Sequence, residues 1–174
     1  MSRIEKTLSE CKSAGRKALI TFITAGDPDK ETSLEVLKSL PDAGADIIEL
    51  GMPFADPGAD GPVIQQANQR ALNNGANMVQ TLEMVRAFRK ENQETPIVLM
   101  GYFNPVLSYG LQRFTHDAHL AGIDGLIIVD LPPEEDVDLR AQCQKCGIDL
   151  IRLITPTSDR TRLPVLLDGV SGFL

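Results

Sequence analysis

Asp46-Ile-Ile-Glu-Leu-Gly-Met-Pro-Phe-Ala-Asp-Pro-Gly-Ala-Asp-Gly-Pro62 is the stretch whose reading decides the fold. Its apolar start reads as a buried strand that delivers one carboxylate, Glu49, before the chain breaks into a loop. From Gly51 to Pro62, six of twelve residues are Gly or Pro, and the only charges are Asp56 and Asp60. So many breakers exclude helix and strand across the loop. Val63 to Leu72 then reads as a helix. A strand, a loop carrying carboxylates and a helix make one βα unit, and two carboxyl groups in unlike settings suit acid–base chemistry.

The same unit recurs along the chain. Apolar runs predict strands at Ala18–Ile23, Asp46–Leu50, Pro96–Met100, Gly125–Val129 and Asp149–Leu153, with Gly172–Leu174 beginning a sixth. An amphipathic helix from about Arg3 to Ala14 opens the chain. Asp27 and Pro28 read as the cap and first turn of a helix running to about Leu40. Further helices are expected from about Met78 to Glu91 with Asn77 as cap, and from Asn104 to Ala121 with a break near Gly110. Two more are expected at Glu134–Lys145 and Asp159–Leu167. Continuous apolar strands separated by helices indicate a parallel sheet covered by helices.

A repeat of about 25–30 residues fits a (β/α)8 barrel or a doubly wound sheet. No Gly-x-Gly-x-x-Gly follows the first strand, which argues against a dinucleotide site. Polar groups collect where strands end, at Asp27, Glu49, Tyr102, Asp130 and Thr155, and in a barrel that end carries the active site. Residues 1–174 read as one barrel domain. The chain reaches Leu174 a few residues into the sixth apparent strand, whereas a complete barrel takes typically ~250 residues. The expectation is therefore that about six of the eight βα units are present.

Composition narrows the function class. The chain has 174 residues, 43% hydrophobic and 24% charged, with a net charge of −7 and a pI near 4.8. This balance argues against nucleic acid or an anionic membrane as partner. No apolar run approaches the ~18 residues of a membrane span. No secretory signal is visible at Met1–Lys6, and three cysteines without framework spacing fit a reducing cytoplasm. Cys143-Gln-Lys-Cys146 and His116-Asp-Ala-His119 have the form of ligand pairs. Both lie in amphipathic helical stretches without knuckle turns, so they read as helix residues and no metal site is assigned.

The residues alone leave the two loop carboxylates with open roles. Glu49, the single charge on its strand, could shuttle protons from a desolvated position or simply pair with a lysine or cap the turn. Asp60 could stabilise developing charge or cap the helix that starts at Gly61-Pro62.

Glu49-Leu-Gly-Met-Pro-Phe-Ala-Asp-Pro-Gly-Ala-Asp-Gly-Pro62 resembles the signature of the tryptophan synthase alpha subunit family. Phe22-Ile-Thr-Ala-Gly-Asp-Pro28, Met100-Gly-Tyr-Phe-Asn-Pro-Val-Leu-Ser-Tyr-Gly110 and Asp130-Leu-Pro-Pro-Glu-Glu135 agree in order, as do Thr155-Pro-Thr-Ser158 and Ser171-Gly-Phe173. Ala55 departs from the small hydroxyl residue usual there. The resemblance implies a (β/α)8 barrel lyase that cleaves indole-3-glycerol phosphate, by a retro-aldol reaction, to indole and glyceraldehyde 3-phosphate. It implies no cofactor or metal on this chain. Indole would pass to a beta subunit bearing pyridoxal phosphate, in an α2β2 heterotetramer.

By the same resemblance Glu49 is the acid–base residue and Asp60 accepts a hydrogen bond from the indole N–H. Phe22, Met100 and Val129 are expected to wall the indole pocket, with Tyr102 hydrogen-bonding nearby. Asp56, Pro57, Asn104 and Pro105 are expected to face the beta subunit. The family's phosphate-binding loops would follow Leu174, so the chain by itself is expected to be nearly inactive. Two other functions fit the residues without the motifs: a non-catalytic regulator of a beta subunit, and a barrel enzyme acting on another phosphorylated sugar.

Overall fold

A computed structural model describes all 174 residues. Its centre is one five-stranded, wholly parallel sheet in the order β1-β2-β3-β4-β5. The strands are β1 (Ile20–Thr24), β2 (Ile47–Gly51), β3 (Ile97–Gly101), β4 (Gly125–Ile128) and β5 (Asp149–Ile151). Neighbours in sequence are neighbours in the sheet throughout. A doubly wound sheet reverses its order at a switch point, and none occurs here. The arrangement is an arc of a (β/α)8 barrel.

Side chains alternate across the sheet because successive Cβ atoms point to opposite faces. Ile48, Leu50, Ile97, Leu99, Leu126, Ile128 and Leu150 face the helices, in a cluster with Leu37, Leu82, Val85, Phe88, Phe114 and Leu139. Ile47, Val98, Ile127 and Ile151 face the other way, into the concave side. The opening helix α1 (Arg3–Ser13) plugs that side from the strands' N-terminal end, burying Ile4 among those four residues. Ser2 closes a capping box with Glu5 at its start. Arg3 then anchors it to Asp124 at 2.8 Å, the carboxylate that Arg89 also grips at 2.6 Å.

The outer helices are α2 (Lys30–Ser39), α3 (Pro62–Asn73), α4 (Met78–Arg89), α5 (Phe103–Tyr109), α6 (Leu111–Ala121), α7 (Val137–Cys146) and α8 (Leu163–Leu167). Asn77 caps α4 as expected, and Gly110, at φ +93°, separates α5 from α6. No helix is long and apolar enough to cross a membrane.

Three expectations are corrected. Asp29, not Asp27, caps α2, its carboxylate accepting from the Thr32 N–H at 2.9 Å. Asp27 is instead held by Arg70 of α3 through two bonds of 2.7 and 2.8 Å. Gly172–Leu174 is not a strand: Gly172 has φ +82°, outside extended backbone, and only Ser171 reaches β5, donating to the Leu150 carbonyl at 3.2 Å. Helix α7 begins at Val137, after a turn at Pro132–Glu135 that the two prolines favour.

Cys143 lies in the apolar cluster, where burial pushes its thiol up to about 12. His116 and His119 are exposed on α6.

Candidate active site

The strands' C-terminal ends bring five of the expected site residues together. Phe22, Asp60, Met100, Tyr102 and Val129 line one narrow cleft with about 10 Å³ of free space, room for a single water. Four pieces of chain deliver the five. Phe22 lies on β1, Met100 on β3, Tyr102 and Val129 directly after β3 and β4, and Asp60 at the end of the Gly/Pro loop. Gly51, Met52, Gly101, Ile64 and Asn68 complete the wall. Gly51 has no room for a side chain, since a Cβ there would come within 2.6 Å of Phe22 Cζ.

The polar end of the cleft is built by long-range contacts. Tyr102 is 5% exposed; its hydroxyl donates to Asp60 Oδ2 at 3.0 Å and accepts from the Ala59 N–H at 3.0 Å. Burial first, and then the Asp60 carboxylate, raise the phenol above its ordinary value, so it remains a donor at neutral pH. Phe54 packs on the same ring, with centroids 5.4 Å apart. Asp60 does not cap α3: the N-cap is Gly61, and no side chain caps the helix. The cap that spacing allowed is displaced by a bond to a residue 42 positions away.

Glu49 does not line the cleft itself. It pairs in register with Phe22 on one side and Val98 on the other, on the concave face. It lies two residues before Gly51 on the same face, roughly 6–7 Å down the strand at 3.3 Å per residue. Burial raises its carboxyl above the ordinary value, with no cation or hydrogen-bond donor offsetting that effect. A carboxyl in this setting exchanges protons closer to neutrality than a solvated one.

The residues expected at a partner surface stand on the rim. Asp56 and Asn104 are exposed, Pro57 and Pro105 half-buried. Asp130 bridges two of these loops, accepting from the Phe103 N–H at 2.7 Å.

Sequence reasoning missed two features. One is Asn68, a buried amide on the apolar stripe Ile64, Ala67, Asn68, Ala71 of α3, whose i, i+3, i+4, i+7 spacing was there to be read. The other is Arg152, just past β5 and 7% exposed. It binds buried Asp136 and donates to the carbonyls of Val165, Leu166 and Asp168 at 3.1, 2.8 and 2.8 Å. Arg140 Nε lies 3.3 Å from Asp136 Oδ1, an ion-pair contact without a directed hydrogen bond. This cluster shapes the loops after β4 and β5, which border an open groove of about 760 Å³ that meets the cleft at Val129.

Comparison with known proteins identifies the family and the fold. The sequence profile of the tryptophan synthase alpha chain matches residues 8–174. The crystal structure of tryptophan synthase subunit alpha from Legionella pneumophila str. Paris is 44% identical, with a TM-score of 0.96 over 100% of this chain and 68% of that one. A structure from Aquifex aeolicus VF5 is 41% identical, with a TM-score of 0.94 over 98% of this chain and 67% of that one. The aminoacrylate-bound form of tryptophan synthase from M. tuberculosis is 37% identical, with a TM-score of 0.95 over 99% and 70%. The chain thus spans about two thirds of the length of these relatives. With its profile match and its fold in agreement, the chain belongs to the tryptophan synthase alpha chain family.

Proposed function

We propose that this chain carries the alpha-subunit role in tryptophan biosynthesis, as a lyase acting on indole-3-glycerol phosphate. The observation that carries this reading is the cleft itself: an apolar slot walled by Phe22, Met100 and Val129, with an oriented carboxylate, Asp60, at one end and a desolvated carboxyl, Glu49, just below. In a retro-aldol cleavage the C3 carbon of indole gains a proton while the neighbouring glycerol hydroxyl loses one. The carbon–carbon bond between C3 and the glycerol carbon bearing that hydroxyl breaks; its electron pair returns to the indole ring, and the deprotonated oxygen becomes the aldehyde of glyceraldehyde 3-phosphate. Glu49 is the proton-transfer group in this reading, poised by burial alone. Asp60, steadied by Tyr102, accepts from the indole N–H and stabilises positive charge on that nitrogen as C3 is protonated, an effect worth about 2–4 kcal/mol in comparable sites.

The proton chemistry proposed here uses Glu49 and Asp60, without metal or cofactor. Pyridoxal phosphate belongs to the beta subunit, to which indole would pass. Asp56, Pro57, Asn104 and Pro105 form the rim proposed to meet that subunit in an α2β2 assembly. Tryptophan synthase assemblies from M. tuberculosis are among the similar structures. A cytoplasmic location belongs to the same proposal.

Indole release from indole-3-glycerol phosphate, measured in single turnover with a beta subunit present, tests the reading. Glu49→Gln should slow release by about 10²–10⁴-fold, the range for a lost general acid–base group, while leaving ligand affinity intact. Equal and clearly measurable rates for wild type and variant would show that Glu49 moves no proton in the reaction.

A further inference from the structure

Tyr102 ties the loop after β2 to the loop after β3, and the end of β4 sets where Tyr102 points. The peptides on both sides of Tyr102 are held by consecutive residues there. Before it, the Gly101 carbonyl accepts from the Val129 N–H at 2.9 Å; after it, the Phe103 N–H donates to Asp130 Oδ1 at 2.7 Å. Because peptides are rigid planes, holding both fixes φ and ψ of Tyr102, at −114° and 155°, and with them the direction of its Cα–Cβ bond. The phenol oxygen lies at the far end of that side chain, so a small turn at Cα becomes a larger displacement at the hydroxyl.

The bond from Phe103 is one that α5 cannot make for itself. The first N–H groups of a helix have no partner inside it. The N-cap of α5 is Tyr102, whose side chain makes no capping bond and reaches Asp60 instead. Asp130, 27 positions further on, supplies the missing acceptor, and its negative charge suits a helix N-terminus. The bond from Val129 joins backbone to backbone and survives any change of side chain; the bond to Asp130 does not. We propose that Asp130 is a positioning residue for Asp60, acting through Tyr102. The loops after β2, β3 and β4 then form one chain of bonds, from Asp60 to Tyr102 and from Phe103 to Asp130. What Asp60 does once positioned rests on the functional reading above; the chain of bonds itself does not.

Two variants test this: Asp130→Ala, which removes the acceptor, and Asp130→Asn, whose Oδ1 can still accept. The chain has only two tyrosines, so carbon NMR resolves the ζ-carbon of Tyr102, which reports the hydrogen bonds of its oxygen, and Tyr102→Phe assigns it. The resonance should shift in Asp130→Ala and return toward its wild-type position in Asp130→Asn. Tyr109, at the other end of α5 with its hydroxyl bonded to Asp117 at 2.7 Å, should stay in place in both. A Tyr102 resonance that ignores Asp130→Ala overturns the proposal. So does one that moves only together with Tyr109, because α5 as a whole has then come loose. In single turnover with a beta subunit present, indole release should slow by about 10- to 100-fold in Asp130→Ala at unchanged substrate affinity, the cost of a displacement of up to ~1 Å. Asp130→Asn should restore most of the rate; an equal loss in both variants would assign the effect to charge and overturn the proposal. No indole from the wild type, with Tyr102 shifting as described, would overturn the lyase reading and leave the hold of Asp130 on Tyr102 standing.

Discussion

Replacing Tyr102 with phenylalanine removes one oxygen that makes two contacts, accepting from the Ala59 N–H and donating to Asp60, each at 3.0 Å. The two losses differ in size. Ala59 is exposed, so water replaces its lost partner and that bond contributes near the low end of about 0.5–1.5 kcal/mol. The bond to Asp60 has a charged acceptor and falls in the range of about 1.5–3 kcal/mol. Tyr102→Phe should therefore lower stability by about 2–3.5 kcal/mol, read as a fall in urea midpoint at unchanged slope. A double-mutant cycle with Asp60→Ala, which removes the acceptor, isolates the shared bond. The coupling should be about 1.5–3 kcal/mol, the range for a hydrogen bond to a charged group. Additivity within about 0.5 kcal/mol would refute the claim that Tyr102 positions Asp60.

Three further outcomes follow from the same geometry. Gly51→Ala drives a Cβ toward Phe22 Cζ and pushes that ring into the cleft, so indole affinity should fall by about tenfold while stability drops by no more than the ~1–3 kcal/mol usual for overpacking. Loss of stability without loss of affinity would show that Phe22 has another way to move. Because burial raises the Glu49 carboxyl, the folded chain holds that proton to higher pH than the unfolded chain does, and the wild type loses stability relative to Glu49→Gln as pH rises from the unfolded value through the raised one. A stability difference that does not change with pH across that interval would contradict the burial argument. Arg152→Met leaves Asp136 charged and buried and should cost about 3–5 kcal/mol in urea unfolding, with Arg152→Lys restoring little because one ammonium cannot reach Asp136 and three carbonyls together. Full recovery with lysine would mean that charge alone matters there.

The strands were legible because each is a mostly apolar run without polar–apolar alternation, the pattern of a buried parallel strand. Asn77 and Gly110 were legible because a cap and a positive-φ break act locally. Asp27 was not. Asp27-Pro-Asp29 offers two carboxylates for one helix start, and the choice is made by Arg70, more than 40 residues away. Gly172–Leu174 has strand-like composition, but a strand needs a ladder, and the positive φ of Gly172 prevents one. The role of Asp60 was undecidable from spacing for the same reason: helix cap and cleft carboxylate occupy the same place in the chain, and only the Tyr102 hydroxyl distinguishes them. Family motifs pointed to the cleft residues, but not to Asn68, whose burial depends on how α3 lies over the sheet.

The central claim is that the cleft seats an indole ring with its N–H on Asp60. A crystal structure of the protein soaked with an indole ligand tests it most directly. The indole nitrogen should lie 2.7–3.2 Å from an Asp60 carboxylate oxygen, the usual N–H···O range, with the ring between Phe22 and Met100. A ring bound instead in the open groove between the loops after β4 and β5, away from Asp60, would contradict it.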